Sequence, residues 1–254
     1  MITEKRFKVV LTTLEPFRIG GKEDPLSGQD NPVAKVGENI VIPGTSLKGA
    51  LRAEIEKYLI EKYKGKEEFK PCIPSTQISE DEKNLVDDGK YKDLFVGEKY
   101  KGCHYPCTDK DCKKTTHSIC PVCYFCGAQG LPGFLRIPFL YANISVNELY
   151  SATIDRFSKV VKKGTNRPYQ LISDNTEFTG YLSVLIKDDI LNWEFGKPRP
   201  LKENTLGDKW LESMSSSPNE LLAEFVINRL NSIEILGGYK SKGFGKVKIK
   251  VSNE

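Results

Sequence analysis

The chain has 254 residues, with 38 Lys and Arg against 34 Asp and Glu, a net charge of +4 and two histidines. That balance excludes a polycation, so a nucleic-acid surface has to come from local clustering. No apolar run reaches bilayer-spanning length and Met1 to Arg6 lacks the apolar core of a secretory signal, so the sequence predicts a soluble, cytoplasmic protein with no membrane partner.

Phe7, Val9 and Leu11 alternate as a half-buried first strand. Phe17-Arg18-Ile19-Gly20-Gly21 then leads into a polar loop ending in Asp30-Asn31-Pro32-Val33. Val33 to Lys35 and Ile40 to Ile42 are placed to pair across Gly37-Glu38-Asn39. Pro43-Gly44 breaks that strand, Thr45 or Ser46 is a suitable N-cap, and Leu47, Leu51, Ile55 and Leu59 mark one apolar face of a helix reaching Tyr63. The open N-terminus of that helix, with Lys48 and Arg52 at i, i+4 spacing, is an anion site built from backbone amides and two cations. An amphipathic helix with solvated charges is the ordinary alternative.

Six of the seven cysteines, Cys103, Cys107, Cys112, Cys120, Cys123 and Cys126, fall in one polar stretch. The odd total of seven and the tight spacing of these six favour metal ligation over a disulfide framework, and zinc is the leading ion. In Cys120-Pro121-Val122-Cys123 two thiolates on a tight turn grip one side of a tetrahedral ion, and Cys107, Cys112 or His117 can close the other. The segment from Lys64 to Gly130 is too polar to order itself by apolar burial, so metal binding supplies its folding energy.

Phe134 to Ala142 and Gly180 to Ile186 read as strands, separated by a polar excursion carrying Lys159, Lys162, Lys163, Arg167 and Tyr169 that suits a projecting hairpin or a solvated loop. Ser217-Pro218-Asn219-Glu220 combines an N-cap, a first-turn proline and a capping-box glutamate ahead of an apolar helix. Ile233 to Leu236 and Lys246 to Val251 form a closing hairpin around Gly237-Gly238-Tyr239-Lys240-Ser241-Lys242-Gly243-Phe244-Gly245. There, glycines let backbone approach a phosphate, lysines supply charge, and Tyr239 and Phe244 offer faces on which bases stack. The element order predicts an α+β fold with a ferredoxin-like (RRM-like) core carrying insertions. We read residues 1–254 as a single domain, with a cysteine-rich, zinc-binding insertion over 64–130 and an excursion over 155–175.

Taken in chain order, Arg18-Ile19-Gly20-Gly21, Asp30-Asn31-Pro32-Val33, Ile42 to Arg52, Ile154-Asp155-Arg156 and Gly237 to Gly245 resemble the RAMP superfamily, most closely the repeated backbone subunit of type III CRISPR effector complexes. The resemblance implies that a guide crRNA is gripped by Arg18, Gly20, Gly21, Ser46, Lys48, Arg52, Lys162, Arg167, Gly237, Gly238, Tyr239, Lys240, Lys242, Gly243 and Phe244. It makes the excursion a thumb-like hairpin that kinks a guide–target duplex, and it selects Cys107, Cys112, Cys120 and Cys123 as zinc ligands, with His117, Cys103 and Cys126 as substitutes. It also implies a catalytic Asp30 that uses Mg²⁺ or a similar divalent ion to cut complementary target RNA, in a complex with other effector subunits and copies or paralogues of this chain. By residue type alone Asp30 is better read as a turn cap before Asn31-Pro32, and Asp24 is placed to share the metal or to be the only one that binds it.

Both histidines, His104 and His117, lie among the cysteines, which leaves no free histidine for a metal-independent guide-processing nuclease. No phosphate-binding Gly-x-x-x-x-Gly-Lys-Ser/Thr loop is present, so nucleotide hydrolysis has no support. Two other readings remain: a non-catalytic scaffold of the same complex, and a free-standing zinc-stabilised RNA-binding protein.

Overall fold

The computed structural model describes residues 1–22, 31–73, 80–81, 84, 102–105, 118–165, 167–202 and 205–254. In chain order its elements are β1 (Ile2–Thr13), β2 (Lys35–Val36), β3 (Asn39–Ile42), α1 (Gly44–Lys62), α2 (Pro121–Cys126), β4 (Leu135–Arg136), β5 (Leu140–Ala142), β6 (Asn147–Ser151), β7 (Arg167–Leu171), β8 (Glu177–Asp188), β9 (Trp193–Glu194), α3 (Pro218–Leu222), α4 (Asn228–Asn231) and β10 (Val247–Asn253). Single 3-10 turns lie at Glu67–Phe69, Lys209–Ser213 and Lys240–Lys242, and a π-helical stretch, Ala223–Ile227, joins α3 to α4. The result is a mixed α/β fold with a mainly antiparallel sheet that divides into two compact units.

One unit comprises Phe7–Ala50, Ile137–Tyr181 and Leu230–Glu254. The sheet order is β10-β1-β8-β5-β3-β2, and residues 7–13 of β1 and 177–181 of β8 are the parts of those strands that fall in this unit. In β1 the predicted alternation buries Phe7, Val9, Leu11 and also Thr13, and β10 pairs along it from Phe7↔Asn253 to Thr13↔Val247. The predicted turn at Gly37 forms, with Lys35 opposite Ile40 and Val36 opposite Asn39. α1 starts at Gly44, two residues earlier than a Thr45 cap requires, with the Pro43 carbonyl accepting from the Ser46 and Leu47 amides at 3.0 and 3.3 Å. Packing at this first turn is tight: a Cβ on Gly44 would lie 2.8 Å from the Ile137 carbonyl oxygen and 2.9 Å from that of Pro138.

Pro138 also accounts for a departure from the predicted Phe134–Ala142 strand, which splits into β4 and β5 because proline donates nothing to a ladder. The closing hairpin is likewise short. Ile233 to Leu236 meets the C-terminal strand only through the Ile235↔Lys246 bridge and its flanking bonds, while β10 spends its length on β1. β6 and β7 form a separate two-stranded sheet, with every residue of β6 exposed.

The other unit comprises Met1–Arg6, Leu51–Arg136 and Leu182–Arg229. Leu51, Ile55 and Leu59 of α1 are buried in it, as the apolar stripe predicts. Its core is dominated by rings: Tyr124 lies 4.4 Å from Phe134 and 5.4 Å from Trp210, and Phe125 stacks on Phe225 at 5.3 Å. A fully buried ion pair, Arg199 Nε to Asp208 Oδ2 at 2.8 Å, sits beside them, with the guanidinium 5.2 Å from the Tyr124 ring centre. The predicted capping box is present: Ser217 accepts from the Glu220 amide, and the Glu220 carboxylate accepts from the Ser217 amide at 2.8 Å. One turn on, the π-helical stretch carries Glu224 to Tyr58, Lys62 and Tyr63 of the same unit.

A four-cysteine centre and a glycine-hinged aromatic loop

Cys120 caps α2 with extended backbone, φ −71° and ψ 159°, and Pro121 pre-sets the first helical residue. One turn later Cys123 returns to the same side, and the Tyr124 amide donates to the Cys120 carbonyl at 3.0 Å. Cys103 arrives on a short segment bound to the turn after α2, where the Tyr105 amide donates to the Gln129 carbonyl at 2.9 Å. Gly130, at φ +74°, makes that approach possible, since a side chain there would run into the Tyr105 carbonyl. Cys72 follows the Glu67–Phe69 turn, fixed by buried Phe69 stacked on Tyr63 at 4.1 Å.

The four sulfurs of Cys72, Cys103, Cys120 and Cys123 lie within 4.8 Å of one another. Cys72 and Cys123 are 3.4 Å apart, close to the separation of about 3.8 Å that a tetrahedral zinc thiolate with its bonds of about 2.3 Å requires. The donors are all soft, and the Cys120 amide points at Cys103 Sγ from 3.3 Å. This set can hold a metal ion such as zinc. Hydrogen bonds from the Cys103, Cys120 and Cys123 thiols hold Cys72 well below the ordinary thiol range, while burial pushes Cys120 up.

The predicted ligands Cys120 and Cys123 are therefore together, joined by Cys103, a substitute in the sequence reading, and by Cys72, which that reading passed over. Cys107, Cys112 and His117 lie outside the described residues. Cys126, one helical position past Phe125, is buried and not among the four. Cys72 had one available signal, as the seventh cysteine in a chain whose other six lie together.

In the unit that holds β10, the predicted Gly237 to Gly245 loop folds back on Arg18. The Gly238 amide donates to the Arg18 carbonyl at 2.8 Å and the Gly245 amide to the Pro16 carbonyl at 3.0 Å. Gly237 and Gly245 adopt φ +91° and +97°, and a side chain on either would strike a carbonyl, that of Arg18 or of Leu236. Between them Tyr239 takes the left-handed conformation at φ 59°, unusual for a bulky residue, and Lys240–Lys242 forms one 3-10 turn.

Three half-buried rings gather at this loop. Tyr169 of β7 meets Tyr239 edge-on at 5.6 Å, Tyr239 meets Phe244 at 6.0 Å, and Tyr169 and Phe244 are 6.3 Å apart. Tyr169 as the third ring escaped the sequence reading, which left it in the basic excursion. The Lys242 ammonium sits 4.5 Å from the Tyr239 ring centre and the Arg18 guanidinium 5.0 Å. Arg18 is only 8% exposed. It donates weakly to Asn31 Oδ1 at 3.5 Å and to the Pro32 carbonyl at 3.4 Å, and its Nε has no partner among the described residues.

The other predicted contacts are distributed. Gly20 bridges to Val33, and Gly21 packs so closely that a Cβ would sit 2.5 Å from the Val33 carbonyl oxygen. Ser46 is half-buried in the first turn of α1 and Lys48 is exposed; Lys240, Lys242 and Gly243 are exposed, as are Lys162 and Arg167 on the β6–β7 excursion. The tip of that excursion is ordered by Asp155, which accepts from the Phe157 and Ser158 amides at 3.0 and 2.9 Å and leaves Phe157 97% exposed. Arg52 points elsewhere, toward Cys72, Cys123 and Glu56, with 15% of its side chain exposed. Asp30 and Asp24 lie outside the described residues.

Fold and sites define a cysteine-centred α/β protein with a mainly antiparallel sheet and a glycine-hinged, basic aromatic loop. The family model of the RAMP superfamily matches residues 10–248, and the chain belongs to that superfamily. Comparison with curated proteins yields no match. Among the described residues no helix is long and apolar enough to cross a membrane.

Proposed function

We propose that this chain is a guide-RNA-binding backbone subunit of a type III CRISPR effector complex, and that it cuts complementary target RNA through Asp30. The observation that carries the binding half is the convergence of Tyr169, Tyr239 and Phe244 with Lys242 and Arg18 on a loop shaped by positive-φ glycines. Rings at such spacing offer stacking faces to any base, and exposed Lys240 and Lys242 supply phosphate contacts that ignore sequence. Specificity then resides in guide–target pairing, which the protein reads as shape.

Membership of the RAMP superfamily supports the same reading, as does the sheet, whose core we interpret as ferredoxin-like. Gly20, Gly21, Ser46 and Lys48 extend the guide-binding surface. Exposed Phe157, flanked by Arg156, Lys159 and Lys162, suits the excursion to a thumb that wedges into the duplex and kinks it. A kink of this kind aligns a 2′-hydroxyl with its neighbouring phosphate, the geometry that regular A-form RNA denies it. Attack then releases the 5′-oxygen, leaving a 2′,3′-cyclic phosphate and a 5′-hydroxyl. Asp30 serves to orient that hydroxyl and to hold a divalent ion, whose contribution is to stabilise phosphate charge. The four-cysteine centre takes a structural zinc, and the working assembly is cytoplasmic and includes sister subunits.

The test is cleavage of an end-labelled complementary RNA by the guide-loaded assembly in Mg²⁺, with Asp30→Ala compared at matched target binding. Evenly spaced cuts that disappear in the variant are expected. Cuts that persist move catalysis to Asp24 or another subunit, and no cuts from either protein reduce the chain to a scaffold.

A further inference from the structure

Arg52 has the sequence setting of an anion ligand, on the first helix at i, i+4 from exposed Lys48. Its guanidinium is instead spent on the cysteine centre. Nη2 lies 3.5 Å from Cys72 Sγ and donates to the Cys72 carbonyl at 3.2 Å, Nη1 lies 3.9 Å from Cys123 Sγ, and Nε pairs with Glu56 Oε1 at 2.7 Å. All three nitrogens thus face groups of the same unit, and only 15% of the side chain reaches solvent.

The two sulfurs it bridges come from the segment after the Glu67–Phe69 turn and from α2, elements with no shared ladder. A planar fork can hold two such sulfurs at a fixed separation, which a point-charge ammonium does poorly. Four thiolates around a divalent ion also carry a net negative charge, and a buried cation donating N–H to two of them offsets it. Glu56, one helical turn on, locks the fork in place.

We propose that Arg52 is a positioning residue of the metal centre, holding Cys72 and Cys123 at ligating distance and offsetting thiolate charge, and that it does not touch RNA. This rests on reading the four cysteines as a metal site. The experiment uses full-length Arg52→Gln, Arg52→Lys and Glu56→Gln, with Zn²⁺ affinity measured by chelator competition. The Co²⁺-substituted forms report the thiolate-to-metal charge-transfer band, and RNA affinity is measured at saturating Zn²⁺.

Arg52→Gln is expected to lower Zn²⁺ affinity by roughly 10- to 100-fold and to shift the Co²⁺ band, with partial rescue in Arg52→Lys. RNA affinity at saturating Zn²⁺ stays at the wild-type level. Should Arg52→Gln fail to fold, Glu56→Gln carries the test, because it keeps the guanidinium and releases its anchor, and a several-fold loss of Zn²⁺ affinity is expected. Unchanged affinity and spectrum in the folded variants overturn the proposal, as does a fall in RNA affinity at saturating Zn²⁺. A wild-type protein that binds neither Zn²⁺ nor Co²⁺ instead overturns the metal reading beneath it.

Discussion

The cysteine centre and the glycine-hinged loop solve opposite problems. At the centre, four thiols from three separate stretches of chain are brought together with little exposure, so its order depends on what holds mutually repelling sulfurs in place. At the loop, a single run of sequence carries Tyr239, Phe244 and the two lysines, with Arg18 and Tyr169 joining from elsewhere, and positive-φ glycine backbone shapes it while Lys240 and Lys242 stay in solvent. On the proposed reading, the first site serves stability and the second serves contact. Substitutions at the first should therefore act on folding, and those at the second on ligand affinity.

The sharpest test of that division is Cys123→Ser, which removes one of the four sulfurs. Structural zinc sites contribute on the order of 10 kcal/mol of folding free energy, so loss of bound metal and loss of the cooperative transition are expected by calorimetry. Chelator treatment of wild type should reproduce it. A variant that melts like wild type would break the comparison at its first term.

Gly245→Ala probes the loop's own architecture, adding a Cβ at φ +97° against the Leu236 carbonyl. A destabilisation of about 3 kcal/mol is expected in denaturant unfolding. Tyr239→Ala should leave the melting temperature nearly unchanged while costing about 1–3 kcal/mol in RNA binding, measured at fixed salt. If it destabilised the fold and left RNA affinity intact, the rings would be core and the loop would be no interface.

The smallest effect belongs to Glu224. Burial pushes its carboxyl up, but hydrogen bonds from Lys62 and Tyr58 outweigh that and hold it below the usual range. A depressed carboxylate contributes stability that is present above the unfolded-chain carboxyl value and is lost as the pH falls through its lower folded-state value. Because the Lys62 side chain is 48% exposed, Glu224→Gln should cost no more than about 1 kcal/mol, with a flatter acid limb of the stability curve.

What the sequence made legible follows from how local each signal is. The Ser217 capping box, the stripe of Leu47, Leu51, Ile55 and Leu59, and the Cys-Pro-Val-Cys turn are written within a few residues and appear as predicted. Cys72 was hidden because its sulfur neighbours come from distant parts of the chain, and spacing rules reach only one turn. Helical periodicity placed Arg52 on a face but said nothing of what covers that face. The pairing of β10 with β1, instead of a long hairpin with Ile233 to Leu236, was decided by a strand at the opposite end of the chain. The π-helical Ala223–Ile227 carries no glycine or proline to announce it.

The most direct test of the central claim, that the Tyr239–Phe244 loop binds guide RNA, is to purify the chain from cells expressing its sister subunits and sequence the RNA it retains. Wild type should carry short RNA of uniform 5′ sequence, and a folded Tyr239→Ala/Phe244→Ala variant should carry far less. Wild type free of RNA, or a variant that retains as much as wild type, would contradict the account.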